Sequence, residues 1–127
     1  MATERLETRQ AGVASYLAVE DLDRSVDFYK DVLGFQVDMV DNGFALVSRN
    51  RVSIMFQRTD TFHRPRLSSW AGYIWVNDVD GSRRELEEKG VTFTDPVADR
   101  HWGTREFEVQ DLDGHHLRFG QILDITE

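Results

Sequence analysis

Cysteine is absent from all 127 residues, which excludes disulfides, thiolate metal sites and a cysteine nucleophile. Long apolar runs are absent too. No stretch reaches the ~18 residues that a membrane-crossing helix needs, and the opening MATERLETRQAG lacks the roughly 7–15-residue apolar core of a secretory leader. A cytoplasmic protein with no membrane partner is expected. Positive charge runs short as well: 15 Lys and Arg against 23 Asp and Glu leave a net charge of -8, with no block of one sign. That balance repels nucleic acid and anionic lipid, whereas a soluble cation is steered in. Most of the surplus acid reads as solvated surface. No serine stands in a G-x-S-x-G setting, and no glycine-rich loop reads as a phosphate cradle.

What is present is enough for one modest core, since 40% of the residues are hydrophobic and 11% aromatic. Val13–Val19 alternates like a strand that is apolar on both faces. Leu22, Val26, Tyr29 and Leu33 then follow at helical spacing, with Gly34 placed to end the helix in a left-handed turn. Strands are predicted over 35–40, 44–48 after the Asn42-Gly43 turn signal, and 52–57. The order is βαβββ, and it recurs. VEDLDRS (Val19–Ser25) and VNDVDGS (Val76–Ser82) match at an offset of 57 residues. WAGYIWV precedes the second copy as a strand, RRELEEKG closes a helix at Gly90, and strands are predicted over 91–94, 104–110 and 115–121. The chain reads as an α+β duplication: an extension (1–12), a module (13–57), a linker holding Pro65 (58–69), a second module (70–121) and a tail (122–127), all one structural domain.

Two motifs carry a resemblance. The first is Val19, Asp21, Leu22, Ser25, Phe28, Tyr29, Leu33, Gly34 and Phe35; the second is Trp102, Gly103, Arg105, Glu106, Phe107, Asp111, Asp113 and Gly114. With them the chain resembles the vicinal oxygen chelate superfamily, and within it the bleomycin-resistance-protein group. The resemblance implies two βαβββ modules forming a curled mixed sheet around a cleft, usually completed by a second subunit, so a homodimer is expected. Function does not follow from fold, because the superfamily hosts lyases, dioxygenases, thiol transferases and non-catalytic binders.

In metal-bearing relatives a histidine or glutamine precedes the motif aspartate by seven positions, which here are Ala14 and Ala71. The carboxylate ligand of the last strand lands on Arg118 and its first-half counterpart on Met55. None of these is a ligand for a divalent ion, and an arginine repels one. Neither a metal nor any other cofactor is expected. The adjacent His115 and His116 cannot serve one metal from a regular strand, because neighbours point to opposite faces. His116 and Arg118 should face the cleft, with His115 exposed and His63 and His101 in loops.

The same alternation aims Ala14, Tyr16, Ala71, Tyr73 and Trp75 into the cleft, joined by Ser53, Met55 and Gln57. Phe44 and Trp102 complete the aromatic candidates. Glu106 and Glu108 alternate with Phe107 and Val109, so one face of that strand is acidic. An aromatic cleft with carboxylates on one side suits a flat, partly cationic organic ligand. The expectation is a non-catalytic protein that resembles bleomycin resistance proteins and sequesters a bulky cationic or aromatic antibiotic in a dimer cleft. The candidate binding residues are Tyr16, Phe44, Met55, Tyr73, Trp75, Trp102, Glu106, Glu108, His116 and Arg118. A metal-dependent lyase or transferase of the glyoxalase or fosfomycin-resistance type, and a module for some other metabolite, stand as alternatives. The aromatics could also serve only to fill a subunit interface.

Overall fold

A computed structural model describes residues 13–65 and 70–123. The extension 1–12, linker residues 66–69 and tail residues 124–127 lie outside the described residues. The first half runs β1 (Ala14–Val19), α1 (Leu22–Asp31), β2 (Gln36–Asp41), β3 (Phe44–Arg49) and β4 (Val52–Arg58). The second runs β5 (Trp70–Trp75), α2 (Val79–Glu88), β6 (Thr92–Asp99), β7 (Thr104–Gln110) and β8 (His116–Ile122). Two four-stranded mixed sheets result, ordered β1-β4-β3-β2 and β5-β8-β7-β6. Both copies of the α+β plan are therefore present, with the same internal strand order.

Local chemistry explains the helix limits. Asp21 and Asp78 cap α1 and α2 by accepting from the backbone N–H of Arg24 and Gly81 at 3.2 and 3.1 Å. Gly34 and Gly90 follow the helices at φ 77°, a conformation that costs a side chain-bearing residue energy but not glycine. No helix among the described residues is long and apolar enough to cross a membrane.

One core serves both modules. Leu17, Val19, Tyr29, Val47, Ile54 and Phe56 pack in the same cluster as Val79, Phe107, Val109, Leu117 and Phe119. Tyr29 meets Phe56 edge-on at 4.9 Å, and Phe107 stacks flat on Phe119 at 5.0 Å. Each helix also docks on the other module's last hairpin turn. From α1, the Ser25 hydroxyl donates to Asp113 at 2.5 Å and the Tyr29 hydroxyl to Asp111 at 2.6 Å, both buried. From the turn between β3 and β4, Arg49 grips Glu85 of α2 with two bonds of 2.8 and 3.0 Å. Asp111 also accepts from the backbone N–H of Asp113 and His115, so it shapes its own turn. Burial pushes the Asp111 carboxyl above the usual carboxylate range, with the Asp113 charge adding to this; the Tyr29 hydroxyl and His115 offset it only in part. Ser25 and Tyr29 of the first motif and Asp111 and Asp113 of the second are thus struts between modules.

Several expectations need correction. β6 is not the four-residue strand expected: it extends to Asp99 through two register shifts around Pro96, because bulges let a strand absorb a proline. β4 and β8 each run one residue further than expected, taking Arg58 from the linker and Ile122 from the tail. A shift between Trp70 and Gly72 puts Ala71 out of alternation, and Ala71 packs against the core instead of facing a cleft. His115 is partly buried rather than exposed, its Nε2 lying 2.7 Å from the Ala18 carbonyl.

Candidate functional site

The open face of the second sheet is built from its four adjacent strands. Tyr73 on β5 lies beside Arg118 on β8, Arg118 beside Glu108 on β7, and Glu108 beside Asp95 on β6. Alternation sends these side chains to one face while Phe107, Val109, Leu117 and Phe119 fill the other. Arg118 is the hub. Its Nη1 donates to Glu106 at 3.0 Å, and its Nη2 to Asp95 at 2.8 Å and Glu108 at 3.0 Å. Arg100, just past β6, adds a bond to Asp95 at 2.9 Å.

The two glutamates are sheathed in donors. Glu106 accepts from the hydroxyls of Tyr73 at 2.6 Å and Thr104 at 2.7 Å, and from the Trp102 indole at 3.4 Å. Glu108 accepts from Thr94 at 2.7 Å and lies 2.7 Å from Nδ1 of His116. Burial alone raises both carboxyls, but these bonds outweigh it and hold each below the usual carboxylate range. The Tyr73 phenol moves the other way, to about 12, through burial and then its bond to Glu106. Gly120 makes that bond possible: a Cβ there would collide with the Tyr73 hydroxyl, which crosses β8 over bare backbone.

Six of the ten sequence candidates therefore meet in one network: Tyr73, Trp102, Glu106, Glu108, His116 and Arg118. Trp75 borders it, with its ring 4.6 Å from that of Tyr73. Tyr16 and Met55 face each other across the β1–β4 ladder of the first sheet, and Phe44 stands in the row beyond, opposite Gln57. No side chain contact joins those three to the network among the described residues. The expected acidic face open to a cation is not there. Its carboxylates are engaged by Arg118, Arg100, three hydroxyls and an indole, a pairing that a count of charges does not reveal.

Sequence reasoning missed Trp70, Thr94, Asp95 and Arg100. Simple alternation puts Trp70 on the face opposite Tyr73, yet the bulge beside it brings its ring within 5.4 Å of Tyr73 and 5.0 Å of the Arg118 guanidinium. Thr94 and Asp95 are neighbours that both bind the network, which only the irregular β6 permits. Pro96 inside an otherwise strand-like run was the available signal.

The residues at the positions of the superfamily's metal ligands do not fit a metal. Ala14, Ala71 and Met55 offer a divalent ion no hard donor, and the Arg118 charge occupies the centre of the carboxylates. Among the described residues, no group of three or more His, Asp and Glu could hold a metal ion. A groove of 660 Å³ between α2 and the β3–β4 turn is lined by Arg49, Arg51, Trp75, Asn77 and Glu85 but by none of the network's charged residues.

The sequence profile of the Glyoxalase/Bleomycin resistance protein/Dioxygenase superfamily matches residues 10–119. The chain belongs to this superfamily. An uncharacterized protein YraH of Bacillus subtilis (strain 168) is 31% identical over 121 residues, covering 84% of this chain and 94% of the relative. The bleomycin resistance protein of Geobacillus stearothermophilus is 28% identical over 123 residues, covering 84% and 93%. Among solved superfamily structures, the bleomycin-binding protein of Streptomyces verticillus complexed with copper(II)-bleomycin is similar with a TM-score of 0.71 and 26% identity, covering 92% of this chain and 97% of that one.

Proposed function

We propose that this superfamily member is a non-catalytic binding protein that sequesters a bulky aromatic antibiotic or similar small molecule over the open face of its second sheet. The observation that carries the reading is the closed network. Glu106, Glu108, Asp95, Arg100 and Arg118 are tied to one another, leaving a polar floor suited to holding a ligand in a fixed place. Tyr73, Trp75 and Trp102 rim it, Trp75 and Trp102 being 58% and 57% exposed. Exposed rings beside a fixed polar floor give contact area and orientation together, as small-molecule sites require. The relatives that bear the bleomycin resistance name, and the likeness to a bleomycin-binding protein, support the same class.

The cleft is closed, in this proposal, by a second copy of the chain. Tyr16, Trp70, Trp75 and Trp102, each more than half exposed, form more apolar surface than a monomer ordinarily leaves in water. Calorimetry with metal-free bleomycin, copper-bleomycin and a panel of bulky aromatic antibiotics tests the function. At least one should bind without being consumed, and Trp75→Ala should weaken it by about 1–3 kcal/mol through lost contact area. Turnover of the ligand, or affinity indifferent to Trp75, would overturn the reading. Light scattering that shows a stable monomer at micromolar concentration removes the shared cleft.

A further inference from the structure

The centre of the open face is a guanidinium, and some of its hydrogen-bonding capacity is unused. All three bonds from Arg118 to carboxylates leave from its two terminal nitrogens. Its Nε is buried and has no partner among the described residues. Arg100 repeats the pattern: its Nη2 holds Asp95, while its buried Nε stands 3.8 Å from Glu106, too far for a hydrogen bond. Two neighbouring guanidiniums, bound to the same oxygen of Asp95, thus each present an N–H with no acceptor. Such groups are rare in folded proteins because they lose solvation and gain nothing in return.

The Arg118 guanidinium lies against an indole ring. Trp70 lies 5.0 Å from the guanidinium carbon, and its ring is half exposed although Arg118 beneath is 92% buried, being 8% exposed. A guanidinium fixed in place by three carboxylates is a platform for an electron-rich ring. Trp70 occupies that platform from the first position of β5, with a register shift beside it.

We propose that Arg118 is the floor of the ligand site, and that it selects a planar, uncharged aromatic ring bearing a carbonyl oxygen. The ring lies where the Trp70 indole lies in this structure, and its oxygen accepts from the Nε–H of Arg118 or Arg100. This inference rests on the proposed binding function and narrows the ligand class. A cationic ring is disfavoured because it would stack on a guanidinium while every carboxylate nearby is already bonded. A carboxylate is disfavoured too, since Asp95, Glu106 and Glu108 exceed Arg100 and Arg118 by one negative charge when His116 is neutral.

Three isosteric probes test this on the unmodified protein: 2-acetylnaphthalene, 1-(2-naphthyl)ethylammonium and 2-isopropylnaphthalene, titrated by calorimetry. The ketone should bind at least about tenfold tighter than the ammonium, one charge-assisted hydrogen bond being enough for such a ratio. Arg118→Lys keeps the charge but neither the plane nor Nε. It should weaken the ketone about tenfold and the hydrocarbon by less than about threefold. Trp70→Ala clears the platform and should tighten ketone binding. Equal or tighter binding of the ammonium overturns the inference, as does an Arg118→Lys protein that holds the ketone as well as the original, or a tenfold loss in Trp70→Ala. If Arg118→Lys does not fold, the probe ranking and Trp70→Ala still decide. A protein that ignores all three naphthalenes yet binds copper-bleomycin or another antibiotic sinks this inference and leaves the binding function standing; one that binds nothing in either set sinks both.

Discussion

Row for row, the first sheet carries Tyr16, Met55, Leu46 and Met39 where the second carries Tyr73, Arg118, Glu108 and Asp95. Strand order and pairing are the same, and both rows begin with tyrosine. The first row needs nothing but area, so Tyr16 remains 62% exposed. In the second row each charge must find a partner or lose solvation without return, and Tyr73 is drawn across Gly120 onto Glu106. A duplicated frame can therefore hold one face that associates by apolar contact and one that fixes polar groups in space. The docks between modules differ in the same way. Ser25 and Tyr29 meet Asp113 and Asp111 in the interior, whereas Arg49 and Glu85 meet half in water.

The strongest way to break the comparison is to replace the two residues that occupy equivalent places. Arg118→Met strands three carboxylates and should lower unfolding free energy in urea by about 3–5 kcal/mol, while Met55→Leu should cost under about 1.5 kcal/mol. Similar losses from both would mean that the network is not what distinguishes the sheets. Tyr29→Phe comes next: it leaves buried Asp111 without its hydroxyl donor and should cost about 1–3 kcal/mol.

Alkaline unfolding sharpens the contrast further. The Tyr73 phenol is raised to about 12 in the folded chain against about 10 when unfolded. Its contribution is whole below pH ~10 and is lost as pH rises through about 12, because only the unfolded state releases the proton early. Tyr73→Phe should remove part of that alkaline decline in melting temperature, and an unchanged decline would place Tyr73 outside the network. Smallest of all, Arg49→Met should cost at most about 1 kcal/mol, since a half-exposed ion pair gains little over water. If it equals Tyr29→Phe, the two docks are energetically alike after all.

Periodicity made much of this legible. Both helices, the glycine stops and the whole of β7 follow from spacing and residue type, because those signals act within a few neighbours. Five of the six candidates in the network lie there for the same reason: alternation along β5, β7 and β8 is regular where they sit, while Trp102 reaches Glu106 from the turn before β7. It fails at Trp70, Ala71 and Asp95, where register shifts break the alternation. Tyr16, Phe44 and Met55 belong to the first sheet, and alternation within a strand does not say which sheet shares a site.

By itself, then, the sequence determined the duplicated βαβββ order, the shared core and the faces of regular strands, because hydrophobic burial and backbone conformation repeat with fixed periods. Only the tertiary structure decided what the charges do. Glu106, Glu108 and Asp95 meet Arg118 across strands far apart in the chain, and Ser25 and Tyr29 of one module meet Asp113 and Asp111 of the other. A carboxylate looks the same in a sequence whether it faces water or a guanidinium; its partner is set by distance in three dimensions, and burial makes that partner obligatory.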